Sequence, residues 1–510
     1  MNTKNYKLFL LSIIIIVIII LMIKKCNNDA FSTKRPKNYI AKETYELIPY
    51  NATFIFSLNT PSLLKEIDFD KLHKTKEYID KLRPFYPQNK PFTNVFANPE
   101  ACGININKNL IFYIDAGKSK EEIYSATILP LNNSRYFKNM VEKELNEISI
   151  KKDNYNYLNI DDRSLVAWNN NFTFFMTSEP EFDKLKVLNT CFDKNSKKYF
   201  DKNSDFEKFI KKSNHDLYYW FDMDSYSKNQ IFPIAQNRKP MDKKYLEDIL
   251  YYGNVDFKTG EIDIDIYAKW NNYIKEHFSN IIDKNIESNL LKNIPLEREI
   301  SFFSTFSLNF LTIQKYIFSD VKSKLALRKS LAKYGLMIED INNVFSGDLA
   351  FISFPNENSS KSSTLVVLKV KDEDKFYNLI KVGTDMKNLV KSDDNTYILP
   401  RPSIPFYPIN VTYEDGKLRM VVKNDNIYIS GDENIINFIK SGQEPSKNNN
   451  FNTIKSYVYV YGGKKFPKVD KYANKFNLES FEFSFNNSLK IKLIPLNKNK
   501  SSLKQILSIK

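Results

Sequence analysis

NLIFYIDA at residues 109–116 and DLAFISFP at residues 348–355 are the stretches that decide the architecture. Each is a short apolar run rich in aromatic and β-branched residues and bounded by polar ones, the pattern of a buried strand. Each is followed at the same distance by a second such run and a segment with helical spacing. These are ATILPLNNSRYFKNMV at 126–141 and LVVLKVKDEDKFYNLI at 365–380. Leu110 maps to Leu349 and Phe137 to Phe376 at one offset of 239, and FSLN at 56–59 returns as FSLN at 306–309. By Asn171 and Asn424 the offset reaches 253, and the Pro-rich RPSIPFYP at 401–408 accounts for the extra residues. An offset held over several strands and two helices predicts a duplicated module and two related lobes.

Working outward, 54–58 reads as a strand, Thr60 as an N-cap and Pro61 as the first helical residue ahead of 62–67. Strands at 110–114 and 124–131 lead into a helix over 134–145, with Phe137, Met140 and Val141 facing the core. A hairpin joins 164–168 to 172–177, a helix fits 205–212, a strand 217–223, and a hairpin turns at 258–260. The second module repeats this with strands at 300–308, 349–354 and 364–370 and a helix over 374–382. Strands at 417–422, 426–430 and 457–461 follow, and a closing hairpin turns at 486–488. The expected fold is α+β: two tandem lobes of mainly antiparallel sheet, 47–290 and 291–510, with helices packed on one sheet face.

Ahead of the lobes, residues 8–23 are apolar except for Ser12, with Lys4 and Lys7 before them and Lys24 and Lys25 after. Sixteen helical residues span roughly 24 Å, a little short of a hydrocarbon core of about 30 Å, and lysines at both ends snorkel to close the gap. Segment 1–26 therefore reads as a transmembrane anchor or a signal segment, and the polar 27–46 as a tether. No small residues follow the run to form a cleavage site, which favours an uncleaved anchor. Cys26 stands where a lipid-bearing cysteine would, although Ile23-Lys24-Lys25 departs from the small residues that lipid attachment prefers. The export-like run favours a cytoplasmic N-terminus and a body in the periplasm or at the cell surface.

A hydrophobic share of 42% with 14% aromatics places the body among globular proteins. Its 12 glycines are about a third of average usage, which counts against dinucleotide and P-loop sites. The net charge of +15 invites a nucleic-acid partner, but 66 of the 75 basic residues are lysine, which lacks the guanidinium fork that reads bases. No nucleic acid, cofactor or metal is expected. His73, His215 and His277 stand far apart, and the three cysteines fit neither a disulfide framework nor a zinc site. Cys102, beside Gly103, reads as a small buried thiol.

Two clusters merit attention. Glu261, Asp263 and Asp265 alternate along one strand and so share a face, which reads as a solvated acidic row; Lys490 and Lys492 occupy the matching arm of the second module. Asp222 and Asp224 follow LYYWF at 217–221, a pairing of rings and carboxylates that also occurs where sugars bind, though Tyr219 and Trp220 read as core residues. GGKK at 462–465 lacks the upstream glycine and the Ser/Thr of a phosphate loop.

IPYNATFIFSLNTPSLLKEIDFDKL, NPEACGININKNLIFYIDA and IEDINNVFSGDLAFISF together resemble domain-of-unknown-function family 4836, duplicated proteins of the Gram-negative cell envelope that commonly carry lipoprotein signals. The similarity spans most of 47–496. It implies envelope location and the two-lobed architecture, and it carries no catalytic residues. The expected function is a non-enzymatic, membrane-tethered interaction or scaffold module that meets the membrane through 8–23 and an envelope protein or glycan through its body. The alternative is a binding protein holding a glycan or peptide between its lobes.

Overall fold

The computed structural model describes residues 47–49, 52–66, 100–117, 122–192, 209–210, 214–224, 244, 246–278, 281, 286, 288–296, 298–309, 311–312, 321–332, 337–355, 362–399, 417–443, 456–463, 478–486 and 488–506. The anchor run, Cys26, the tether, His73 and the 401–408 segment lie outside them, as does most of the expected 205–212 helix. Among the described residues no helix is long and apolar enough to cross a membrane. The chain divides into two compact units, one comprising Met1–Tyr273 with Asn497–Lys510, the other Ile274–Leu496.

The first unit holds β1 (Phe54–Leu58), α1 (Thr60–Glu66), β2 (Leu110–Asp115), β3 (Tyr124–Pro130), α2 (Ser134–Leu145), β4 (Ile150–Lys151), β5 (Asn156–Asn159), β6 (Ser164–Trp168), β7 (Phe172–Ser178), α3 (Lys184–Phe192), β8 (Leu217–Asp222), β9 (Leu250–Lys258) and β10 (Glu261–Lys269). Every pairing among them is antiparallel, and the strands lie in the order β4-β5-β6-β7-β3-β2-β1-β8-β9-β10.

The second unit holds β11 (Phe302–Ser307), α4 (Val321–Ala332), α5 (Ile338–Val344), β12 (Phe345–Phe354), β13 (Ser363–Val370), α6 (Glu373–Asp385), β14 (Val390–Asp393), β15 (Thr396–Leu399), β16 (Leu418–Lys423), β17 (Asn426–Ser430), α7 (Glu433–Ser441), β18 (Val458–Gly463), β19 (Leu478–Phe485) and β20 (Leu489–Pro495). Its order, β14-β15-β16-β17-β13-β12-β11-β18-β19-β20, is that of the first unit strand for strand.

One line of paired residues across each sheet fixes the correspondence. In the first unit it runs Ile150, Tyr157, Ala167, Phe174, Ile128, Ile111, Ser57, Tyr218, Asn254, Asp265. In the second it runs Asp393, Thr396, Val421, Tyr428, Val367, Ala350, Thr305, Tyr459, Ser484, Lys490. Tyr157 and Ala167 stand at the places in the line that Thr396 and Val421 hold, and 18 residues part β15 from β16 where four part β5 from β6. The same line corrects the FSLN match: Ser57 answers to Thr305, not Ser307. A slip of two residues is invisible to pattern matching because it leaves every side chain on its own face.

Alternation along β2 sends Leu110, Phe112 and Ile114 into one buried cluster and Ile111 and Tyr113 into another. The first cluster lies under α1 and α2, through Leu63, Phe137 and Val141; the second lies under α3, through Leu188, Cys191 and Phe192. The second unit repeats this, with Phe376 and Ile380 of α6 on one face and Ile435, Ile436 and Ile439 of α7 on the other. Helices therefore cover both faces of each sheet, not one as the sequence reading expected. The two helices that make the difference, α3 and α7, are not among those that reading contains, and neither are α4 and α5.

Two further differences follow from local chemistry. The cap of α1 is Asn59, whose Oδ1 accepts from Ser62 N at 3.4 Å, while Thr60 Oγ1 turns back to the Leu58 carbonyl at 3.5 Å. Asn309 makes the matching bond to Thr312 N at 3.0 Å, so the asparagine of FSLN opens a helical turn in both units. Residues 497–510, expected in the second lobe, belong to the first unit. Leu503 of the helix Ser502–Ile506 is buried with Leu58, Leu63 and Leu217, and Gly260 N donates to Lys500 O at 3.1 Å.

Candidate functional site

Charged and polar side chains gather where β8, β9 and β10 meet α1 in the first unit. Alternate residues of β9 and β10 face the same way, so Lys258 stands opposite Glu261, Asp256 opposite Asp263 and Asn254 opposite Asp265. Lys258 Nζ lies 3.1 Å from Glu261 Oε1 and also bonds Asp263 Oδ2. The hydrogen bond that Lys258 donates to Asp263, with the one it donates to Glu261, holds the ammonium above the usual lysine range against the opposing effect of burial. The three carboxylates are half-buried, and Glu261 and Asp263 share the Lys258 cation, so the row is a partly ion-paired ladder rather than a fully solvated face. Replacing Glu261, Asp263 and Asp265 by their amides is expected to change stability by less than about 1 kcal/mol, the range of partly exposed ion pairs, read by urea denaturation.

Behind the ladder sits a more deeply buried set that pattern reading did not find. Asp216 is fully buried; its Oδ1 accepts from Ser62 Oγ, and its Oδ2 accepts from Phe257 N at 2.7 Å. His215 Nδ1 lies 2.7 Å from Asp256 Oδ2. Asn59 Nδ2 donates to Asn214 Oδ1 at 3.1 Å and to the His215 carbonyl at 3.2 Å. One carboxylate thus ties α1 to β8 and β9. The Ser62 hydroxyl spends its proton on Asp216 and the imidazole is held by Asp256, so the cluster works as a strut.

The aromatic run of β8 continues across the sheet on the same face. Trp220 stands opposite Tyr252, and Tyr252 opposite Tyr267. The Tyr252 and Tyr267 rings stack at 5.4 Å, and Phe209 sets its edge on Tyr218, Tyr252 and Tyr267 at 5.0–5.8 Å. These rings pack on one another. Tyr219 faces the other way and donates to the Asp265 carbonyl at 3.0 Å. Asp222 Oδ1 accepts from Asp224 N at 2.9 Å, closing a local turn. Of the remaining singled-out residues, His277 belongs to the helix Asn272–Phe278, and Gly462 and Gly463 end β18. A Cβ on Gly462 would meet the Phe481 ring at 2.3 Å, so that glycine makes room for an aromatic, not a phosphate. Among the described residues no three His, Cys, Asp or Glu side chains converge to hold a metal ion.

Burial pushes the Cys102 thiol up to about 11 and the Cys191 thiol up to about 12. Only the thiolate reacts. Alkylation of the folded chain at pH 8 is therefore expected to leave the Cys102 and Cys191 peptides unmodified, and alkylation in 8 M urea to modify both, as read by mass spectrometry.

The profile of a family described as a domain of unknown function, DUF4836, matches residues 45–453, a span that runs from ahead of β1 to beyond α7. The chain belongs to the DUF4836 family. In this DUF4836 protein the strut and the carboxylate ladder lie inside the matched span, and β18–β20 lie beyond it. Comparison with curated proteins gives no match. Among solved structures, crystal forms I and III of TP0453 are similar at a TM-score of 0.27 each, with 10% and 9% identity. They cover 48% of the DUF4836 chain and 86% and 88% of their own.

Proposed function

We propose that this DUF4836 protein is a non-enzymatic interaction or scaffold module of the cell envelope, anchored through residues 8–23 with its body in the periplasm or at the cell surface, and that its two units are copies of one module. The observation that supports this reading is what the units share and what they do not. They share strand order, pairing and the placing of core residues. They do not share chemistry: where the first unit has Asn254 and Asp265 the second has Ser484 and Lys490, and Trp220, Tyr252 and Tyr267 answer to Tyr461, Glu482 and Lys492. A catalytic or cofactor constellation needs fixed residues, whereas a framework kept under changing surfaces suits recognition of partners.

The test is in-cell crosslinking of the full-length protein, recovery from carbonate-washed membranes and quantitative mass spectrometry. A near-stoichiometric envelope protein recovered with it is the expected result. Turnover of envelope substrates by the purified chain overturns the non-enzymatic reading, and release by carbonate overturns the anchor. A bait without any protein partner, but stabilised by a glycan or peptide, moves the assignment to ligand binding.

A further inference from the structure

The connection between β11 and β12 carries α4, whose charge has no counterpart among the described helices, and α5, whose first turn holds Glu339 and Asp340. Helix α4 reads VKSKLALRKSLA, with Lys322, Lys324, Arg328 and Lys329 and no carboxylate over twelve residues. Lys324, Arg328 and Lys329 are exposed, and among them Leu325 leaves 50% of its surface to solvent. Positions three and four residues apart are neighbours on a helix, so Arg328 and Lys329 flank Leu325 one turn on, and Lys324 neighbours Arg328. Two more exposed apolar side chains, Leu311 at 57% and Met337 at 65%, belong to the same connection.

We infer that α4 is a membrane-surface contact, resting on an anionic phospholipid bilayer with Leu325 at the headgroup boundary and Lys324, Arg328 and Lys329 on lipid phosphates. This rests on the anchor reading, which brings the chain to a membrane in the first place. Cations around an exposed leucine complement such a surface in two respects: the charges meet phosphate oxygens, while the apolar side chain enters the interface below them. The basic side chains reach the phosphates with their stems laid over apolar surface. Charge attraction of this kind acts within a Debye length, about 8 Å at physiological salt, so it serves a helix already held near the bilayer.

The test uses the full chain with Leu325→Cys and Cys26→Ser, labelled at residue 325 with a polarity-sensitive dye and reconstituted into vesicles of phosphatidylcholine alone or with 30% phosphatidylglycerol. A twin labelled at Ile148→Cys, a position 86% exposed in the first unit, is the reference. The expected result is a blue shift at residue 325 only, only with phosphatidylglycerol, and reversed by 0.5 M salt. Lys324→Gln, Arg328→Gln and Lys329→Gln together are expected to weaken the contact roughly a hundredfold, at about fivefold per basic residue. Equal emission in both lipids, equal shifts at 325 and 148, or a shift that survives the triple replacement overturns the inference. So does a shift that appears only when a soluble acidic protein is added. Carbonate extraction of the unlabelled chain reports on the anchor separately, so failure of the anchor and failure of the α4 contact are distinguishable.

Discussion

Asp216→Ala is expected to destabilise the first unit by about 3 kcal/mol, while Asp216→Asn costs about 1. The carboxylate is fully buried and satisfies both the Ser62 hydroxyl and the Phe257 amide, each of which is stranded without water when it goes. A buried donor left without an acceptor costs about 1–3 kcal/mol, and two such losses outweigh the modest net worth of the bonds themselves. The amide keeps an acceptor for Phe257 and a donor for the serine oxygen, which is why the conservative change is milder. Hydrogen exchange of peptides from α1, β8 and β9 in the full chain reads the effect without assuming a two-state transition. An alanine variant with wild-type protection in all three would sink the strut assignment.

Trp168→Ala is expected to cost the same unit about 3–5 kcal/mol. Trp168 is 1% exposed at the end of β6, where its ring meets the edge of Phe137 from α2 at 5.6 Å. Phe137 in turn sets its edge on Phe175 of β7 at 6.2 Å. Removing the indole opens a cavity between sheet and helix that neither neighbour can fill. Tyr136→Ala, one residue along the same helix and 57% exposed, is expected to stay within about 0.5 kcal/mol. Urea denaturation of the two variants side by side separates loss of core from loss of helix propensity.

The parts of the fold that could be read in the sequence are those where the chain repeats a strong pattern. β2, β3 and α2, and their partners β12, β13 and α6, are long, apolar and capped by Asn133 and Asp372, so spacing alone locates them. α7 was equally readable in principle, with Asp432 capping its start, Ile435, Ile436 and Ile439 on one face and Gly442 in the left-handed conformation at its end. Its nine residues between two apolar strands hid the period. The hairpin strand β14 gave no signal because all four of its residues are exposed, leaving nothing to alternate. The carboxylate ladder was readable because a strand has period two. The strut was not, since Ser62 and Asp216 are separated by 154 positions and meet only after β1, β8 and β9 have paired.

The burial of Leu503 against Leu58, Leu63 and Leu217 makes the first unit discontinuous along the chain. Residues 497–510 are joined to Ile274–Leu496 and not to the rest of the unit they complete, so that unit closes only when the stretches of chain on both sides of the second unit are present. A chain cut after Leu496 keeps every strand named above yet leaves the apolar side of α1 that Leu503 covers open to water.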